Sequence, residues 1–262
     1  MKKILLLAIS FITISFSAFA WWGQTGHRVV GQIADNYLSK KARKAIGEIL
    51  GNESIAISGN WADFVKSDTA FNYLSPWHYI NVRQGLSLTE FNAVLEKDTA
   101  TDAFTKLNFL IAGLKNKQLS PDKKQMYLRL LIHITGDIHQ PLHVGRLEDL
   151  GGNRIRVLWF GDSTNLHSVW DEKLIESQKL SYTEYVKAID YSTKDQRNQW
   201  QQQPISEWFF ESYQLAGKIY GGITQPNQRL SFRYNFDYIE MLNSQLLKGG
   251  VRLAGLLNSI FG

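Results

Sequence analysis

The chain has 262 residues, 29 basic against 24 acidic side chains for a formal net charge of +5, and 44% hydrophobic residues. That composition excludes a chain disordered throughout and is enough for one large core or two small ones. There is no cysteine, which excludes a thiol nucleophile, an iron–sulfur cluster and every sulfur-ligated zinc site. Any metal chemistry must use the six histidines, carboxylates or backbone groups.

In chain order, residues 1–20 read as a signal peptide. Lys2 and Lys3 open it, residues 4–16 are an apolar run short for a membrane span, and Ala18-Phe19-Ala20 supplies small residues for cleavage. Loss of both lysines leaves 27 basic and 24 acidic residues, a charge near +3 that is too mild to argue for nucleic acid by itself. The expected product is an exported protein, periplasmic or secreted, with one domain over 21–262 and no membrane span.

Helical spacing then runs through Val29, Val30, Ile33, Tyr37 and Leu38, and again through Ala42, Ala45, Ile46 and Ile49, with Ser39 placed as an N-cap. Further helices are predicted over 88–96, 102–115, 166–175, 204–220 and 236–261, the last weakened by Gly249-Gly250. Ser120-Pro121 opens a helix expected to reach about Ile138, apolar nearly all round and therefore central. Strand signals are thin: 155–160 after Gly151-Gly152-Asn153, and a short extended piece at 77–82. A single, mainly α domain is the expected fold class.

Histidines fall beside carboxylates at ligand spacing. His133 and Asp137 are four apart on the central helix and share a face, while Pro141 turns the chain so that His143 can return toward them. His167 and Asp171 repeat the four-residue spacing, and Asp63 in Trp61-Ala62-Asp63 with His78 in Trp77-His78-Tyr79 form a third set. One such pair would be an ordinary buried hydrogen bond. Several of them on an otherwise apolar framework point to a multi-zinc site, because each unpaired polar group would cost about 1–3 kcal/mol to bury.

These residues lie in a longer series: Trp22-Gly23-Gln24-Thr25-Gly26-His27, Trp61-Ala62-Asp63, Trp77-His78-Tyr79-Ile80-Asn81, the block from His133 through Gly136-Asp137-Ile138-His139-Gln140-Pro141-Leu142-His143, Gly151-Gly152-Asn153, and Asn165-Leu166-His167-Ser168-Val169-Trp170-Asp171. In order and spacing it resembles the S-one/P-one family of zinc-dependent single-strand nucleases. The resemblance implies a compact helical domain of the phospholipase C/nuclease type with a cleft for three zinc ions. It further implies that Asp63, His78 and His133 hold one zinc. Asp137 would bridge to a second, completed by His27 and by the amino group and carbonyl of an N-terminal Trp22. His143, His167 and Asp171 would hold the third. Cleavage after Ala20 would expose Trp21 instead, so either trimming follows or Trp21 chelates.

By the same resemblance the catalytic group is Asp63 and Asp137, acting chiefly as ligands, with Lys66 where the family favours a phosphate-binding arginine. Tyr79 would stack a nucleobase and Asn81 contact its edge. The alternatives for these three are a surface lysine, a core tyrosine and a turn asparagine. His139 remains as a support for a ligand or a plain hydrogen-bonding residue. The expected activity is an endonuclease that cuts single-stranded DNA and RNA to 5′-phosphate products, with 3′-nucleotidase action in addition and no obligate protein partner. The competing readings are a zinc phospholipase C and a non-catalytic exported zinc-binding protein.

Overall fold

The computed structural model describes residues 23–262. The signal-peptide expectation, Trp21 and Trp22 lie outside the described residues. Helix α1 (Gln24–Asn36) meets α2 (Lys40–Leu50) through Ser39, whose hydroxyl accepts the Ala42 N–H at 3.1 Å. Two short turns, α3 (Ile55–Ser58) and α4 (Trp61–Phe64), lead into tighter 3-10 stretches at Val65–Ser67 and Thr69–His78. After β1 (Ile80–Asn81) come α5 (Leu88–Glu96), α6 (Ala103–Lys115) and α7 (Pro121–Asp137). A 3-10 turn, Pro141–His143, feeds β2 (Val144–Gly145), which pairs in parallel with β1 in the register Ile80 to Val144 and Asn81 to Gly145.

The hairpin of β3 (Arg156–Trp159) and β4 (Asp162–Asn165) precedes a helical stretch that changes pitch. Its parts are α8 (Leu166–Ser168), a π segment (Val169–Lys173) and α9 (Leu174–Glu176). The chain ends with α10 (Tyr182–Ile189), α11 (Lys194–Gln202), α12 (Ile205–Gly221), β5 (Gln228–Leu230) and α13 (Phe232–Phe261). Of the described residues 68% are helical, and the strands serve as local clips.

The central position expected for α7 is observed. Its residues from Leu130 to Asp137 are all buried, with α1, α2, α3, α4, α6 and α13 packed around it. Three differences from the sequence reading have physical causes. Helices α10 and α11 were not anticipated, and α11 buries no residue, so it offers no apolar stripe to read. The stretch 166–175 is broken by the π segment. The last helix starts at Phe232 and runs unbroken through Gly249-Gly250. A Cβ on Gly250 would lie 2.5 Å from Ile33 Cβ, so the glycine lets α13 cross α1 at close range.

Candidate active site

His27 comes from α1, Asp63 from α4, His78 from the end of a 3-10 stretch, and His133 and Asp137 from successive turns of α7. His143, His167 and Asp171 come from the 3-10 turn after α7, from α8 and from the π segment. Seven of these eight side chains are buried, and Asp63 is the partly open one. The β1–β2 pairing holds the segment after His78 against the segment after His143. Gly23 N–H donates to Asp171 O at 2.7 Å, which fastens the start of the described chain to the same place.

Asp137 is the hub. Its Oδ2 lies 2.8 Å from His78 Nδ1 and 3.1 Å from His133 Nε2, and those two nitrogens are 2.9 Å apart. Its Oδ1 lies 3.5 Å from both His27 Nε2 and His143 Nδ1. Asp63 reaches His133 Nε2 at 3.6 Å and His27 Nε2 at 3.9 Å, and it also pairs with Lys66. On the other side, Asp171 meets His167 Nε2 at 3.1 Å and His143 Nε2 at 3.4 Å.

The imidazoles are oriented by main-chain carbonyls. His133 Nδ1–H donates to Gly59 O at 2.6 Å, His143 Nδ1–H to His78 O at 2.9 Å, and His167 Nδ1–H to Gly151 O at 2.6 Å. Each bond selects the tautomer whose Nε2 lone pair faces the carboxylates, the arrangement a metal-ligating histidine needs. Sequence reasoning missed these carbonyls because backbone acceptors leave no residue signature. It also missed Gln140, whose Nε2 donates to Asp171 Oδ1 at 2.5 Å while its Oε1 accepts Leu142 N–H at 2.6 Å.

Electrostatics follow from burial opposed by neighbours. Burial drives the pKa values of His27 and His78 well down. At His133 and His143 the same burial is outweighed chiefly by the Asp137 charge, and their pKa values rise. Burial alone would raise Asp137 and Asp171, but the adjacent imidazoles hold Asp137 far below the carboxylate range and Asp171 at about 2. Burial brings Lys66 down to about 8 against the pull of Asp63.

Three groups bring donor atoms within ligand distance of one another: His27, Asp63 and His133; His78, His133 and Asp137; and His143, His167 and Asp171. The third matches the expected set. The first two are divided differently from the implied sets, with His133 common to both. The donors fit a metal such as zinc, being nitrogen and oxygen only. Asp137 Oδ1 also fits, since it is fully buried and accepts no hydrogen bond from the described residues. Around the metal-ligand candidates, Lys66 sits beside Asp63, Tyr79 is 38% exposed, and Asn81 lies in β1 and not in a turn. His139 faces away, with Nδ1 bonded to Thr135 O at 2.7 Å and Nε2 to Arg252 at 2.9 Å. Its role is hydrogen bonding within the core.

Buried imidazole–carboxylate clusters in a mainly helical domain define a metal-centre architecture suited to hydrolysis. Residues 22–262 match the family model described as S1/P1 Nuclease. The chain belongs to that family, and it is a hydrolase of phosphodiester bonds in nucleic acids. It is 30% identical to Endonuclease 3 of Arabidopsis thaliana over 92% of this chain and 89% of the relative. It is 27% identical to Nuclease S1 of Aspergillus oryzae over 97% of each. It is 28% identical to Nuclease P1 of Penicillium citrinum over 92% of this chain and 98% of that enzyme.

Proposed function

We propose that this chain is an exported, zinc-dependent endonuclease that hydrolyses single-stranded DNA and RNA to 5′-phosphate products and removes 3′-phosphates from nucleotides. The observation that carries the metal reading is the set of three Nδ1–H bonds to carbonyls, which leave three Nε2 atoms facing buried aspartates. His27, Asp63, His78, His133 and Asp137 would hold two ions, and His143, His167 and Asp171 a third. The N-terminal Trp22 would complete the second, a reading supported by the fastening of neighbouring Gly23 to Asp171 O. Removal of residues 1–20, followed by loss of Trp21, would then serve both export and site assembly.

Zinc, when bound, lowers the pKa of a water toward about 7 and neutralises charge on phosphoryl oxygens, so no side-chain base is required. The protein contributes orientation and selection. Asp63 presents one carboxylate to the metal donors and to Lys66, whose ammonium is thereby kept at the mouth of the site, where a phosphate would enter. Tyr79 offers an exposed ring for an unpaired base, and a ring that stacks on one base excludes a paired duplex. Asn81 follows two residues on, with both amide functions for a base edge.

The test is hydrolysis of single-stranded DNA, RNA, duplex DNA and phosphatidylcholine by the purified protein, with chelator and with zinc restored, beside elemental analysis. Cleavage of single strands that chelation abolishes and zinc restores, at close to three zinc per chain, is expected. Preference for phosphatidylcholine, or full activity without metal, would overturn the proposal.

A further inference from the structure

The reading above seats one base on Tyr79 and leaves the surface beyond it unused. Tyr79 O accepts the Ala103 N–H at 3.0 Å, so α6 begins against the base platform. One turn along α6 stands Lys106 and another turn on stands Phe109. The Lys106 ammonium lies 5.0 Å from the Trp77 ring centre and 5.4 Å from that of Phe109. It makes no ion pair with the described residues.

Phe109 is 45% exposed and Tyr73 51%, while Trp77 is buried between them, edge-on to Tyr73 at 5.8 Å and to Phe109 at 6.3 Å. Phe109 is also backed by Tyr127 at 5.3 Å. The exposed rings are therefore held by the buried Trp77 and the half-buried Tyr127 and need little ordering when a ligand stacks on them. Exposed rings flanking a cation with no acidic partner are the composition of a single-strand track: bases stack and the ammonium meets phosphate. An uncharged apolar partner would gain from the rings but would have to desolvate Lys106.

We infer that Tyr73, Lys106 and Phe109, seated on Trp77, carry the polynucleotide beyond the base bound at Tyr79. This rests on the nuclease reading and extends it to substrate length. Six residues of α6 separate Ala103 from Phe109, about 9 Å of helix rise. That is two to three steps of a stacked strand at about 3.4 Å each.

The test uses the zinc-loaded protein with two single-stranded substrates, a dinucleotide and an oligonucleotide of about ten residues. In the double variant Tyr73→Ser with Phe109→Ser, kcat/KM on the longer strand should fall by about tenfold or more, through KM, as lost base stacking dictates. The dinucleotide value should stay within about twofold and the melting temperature should hold. Lys106→Ala, which removes no packed core atom, should reduce the salt slope of the longer substrate by about 0.7. Equal losses on both substrates, or an unchanged longer substrate, would overturn the track. A wild-type protein that cleaves no single strand would overturn the single-strand reading and the track with it, so the two failures are distinct.

Discussion

The imidazole of His27 lies against Gly136: a Cβ on that glycine would come within 2.8 Å of His27 Nδ1. The contact joins α1 to α7 one residue before Asp137 and sets how far the His27 ring reaches toward that carboxylate, 3.5 Å from Nε2 to Oδ1. The ring is further stacked on His133, with centroids 3.9 Å apart. It therefore has no clear direction in which to retreat.

Gly136→Ala tests this contact. Alanine is the better helix former by about 1 kcal/mol, so local propensity favours the variant while the clash displaces His27. The expected outcome is a protein that folds but loses one metal equivalent and at least tenfold in kcat/KM. Elemental analysis beside a rate measurement checks it. Full metal content with unchanged rate would show that His27 does not serve as a ligand.

Gln140 gives a second prediction. It is wholly buried and fixes one oxygen of Asp171, leaving the other toward His167. Gln140→Leu keeps approximate size but removes the donor, so Asp171 is free to rotate. Residues that support metal ligands in this way are worth about 10–100-fold in metal affinity. Chelator competition should show one class of zinc released that much more readily, with Gln140→Glu no rescue because its charge opposes Asp171.

How much of this was legible beforehand differs by type of residue. The ligand candidates stood out because histidine and aspartate recur at four-residue spacing, and α7 because Leu128 to Ile134 are apolar on nearly every side. Gly249-Gly250 was misread as a weak point. A glycine that admits a neighbouring helix and one that breaks its own helix look alike until the neighbour is known. Helices α10 and α11 did carry a signal, the Ser181/Glu184 and Thr193/Gln196 capping boxes, and α10 also sets Tyr182, Tyr185, Val186 and Ile189 at helical spacing against the core; only α11 lacks the buried stripe that periodicity detects. Carbonyl acceptors at Gly59, His78 and Gly151 had no signal at all, because every residue has a carbonyl.

His139 supplies a prediction about pH. Burial, reinforced by the Arg252 charge, lowers its pKa to about 3 from an ordinary value near 6.5. Between these values the unfolded chain binds a proton that the folded chain does not. The contribution of His139 is therefore intact above about pH 6.5 and is lost progressively as pH falls toward 3, by at most about 1.4 kcal/mol per pH unit. His139→Gln retains an acceptor for Arg252 and removes the titration. Melting curves between pH 7 and 5 should thus fall less steeply for the variant than for the parent. Identical slopes would place the acid sensitivity elsewhere.

The last prediction separates base recognition from chemistry at Tyr79. Its ring is 38% exposed and its main chain is tied to α6 by the Ala103 N–H, so its position does not depend on side-chain packing. Tyr79→Ala should then leave zinc content and the melting temperature close to those of the parent. Binding of a single strand should weaken by about 1–3 kcal/mol, the usual worth of one base–aromatic stack, with DNA and RNA affected alike. A phosphodiester without a base never uses the ring and should be hydrolysed at nearly the parental kcat/KM. If Tyr79 instead served mainly as a packing residue, truncation would leave a cavity, lower the melting temperature and depress both substrates together. Comparison of kcat/KM on an oligonucleotide and a base-free diester, beside a melting curve, therefore decides between the two roles. Equal losses on both substrates would remove Tyr79 from recognition and with it the ring on which single-strand preference rests.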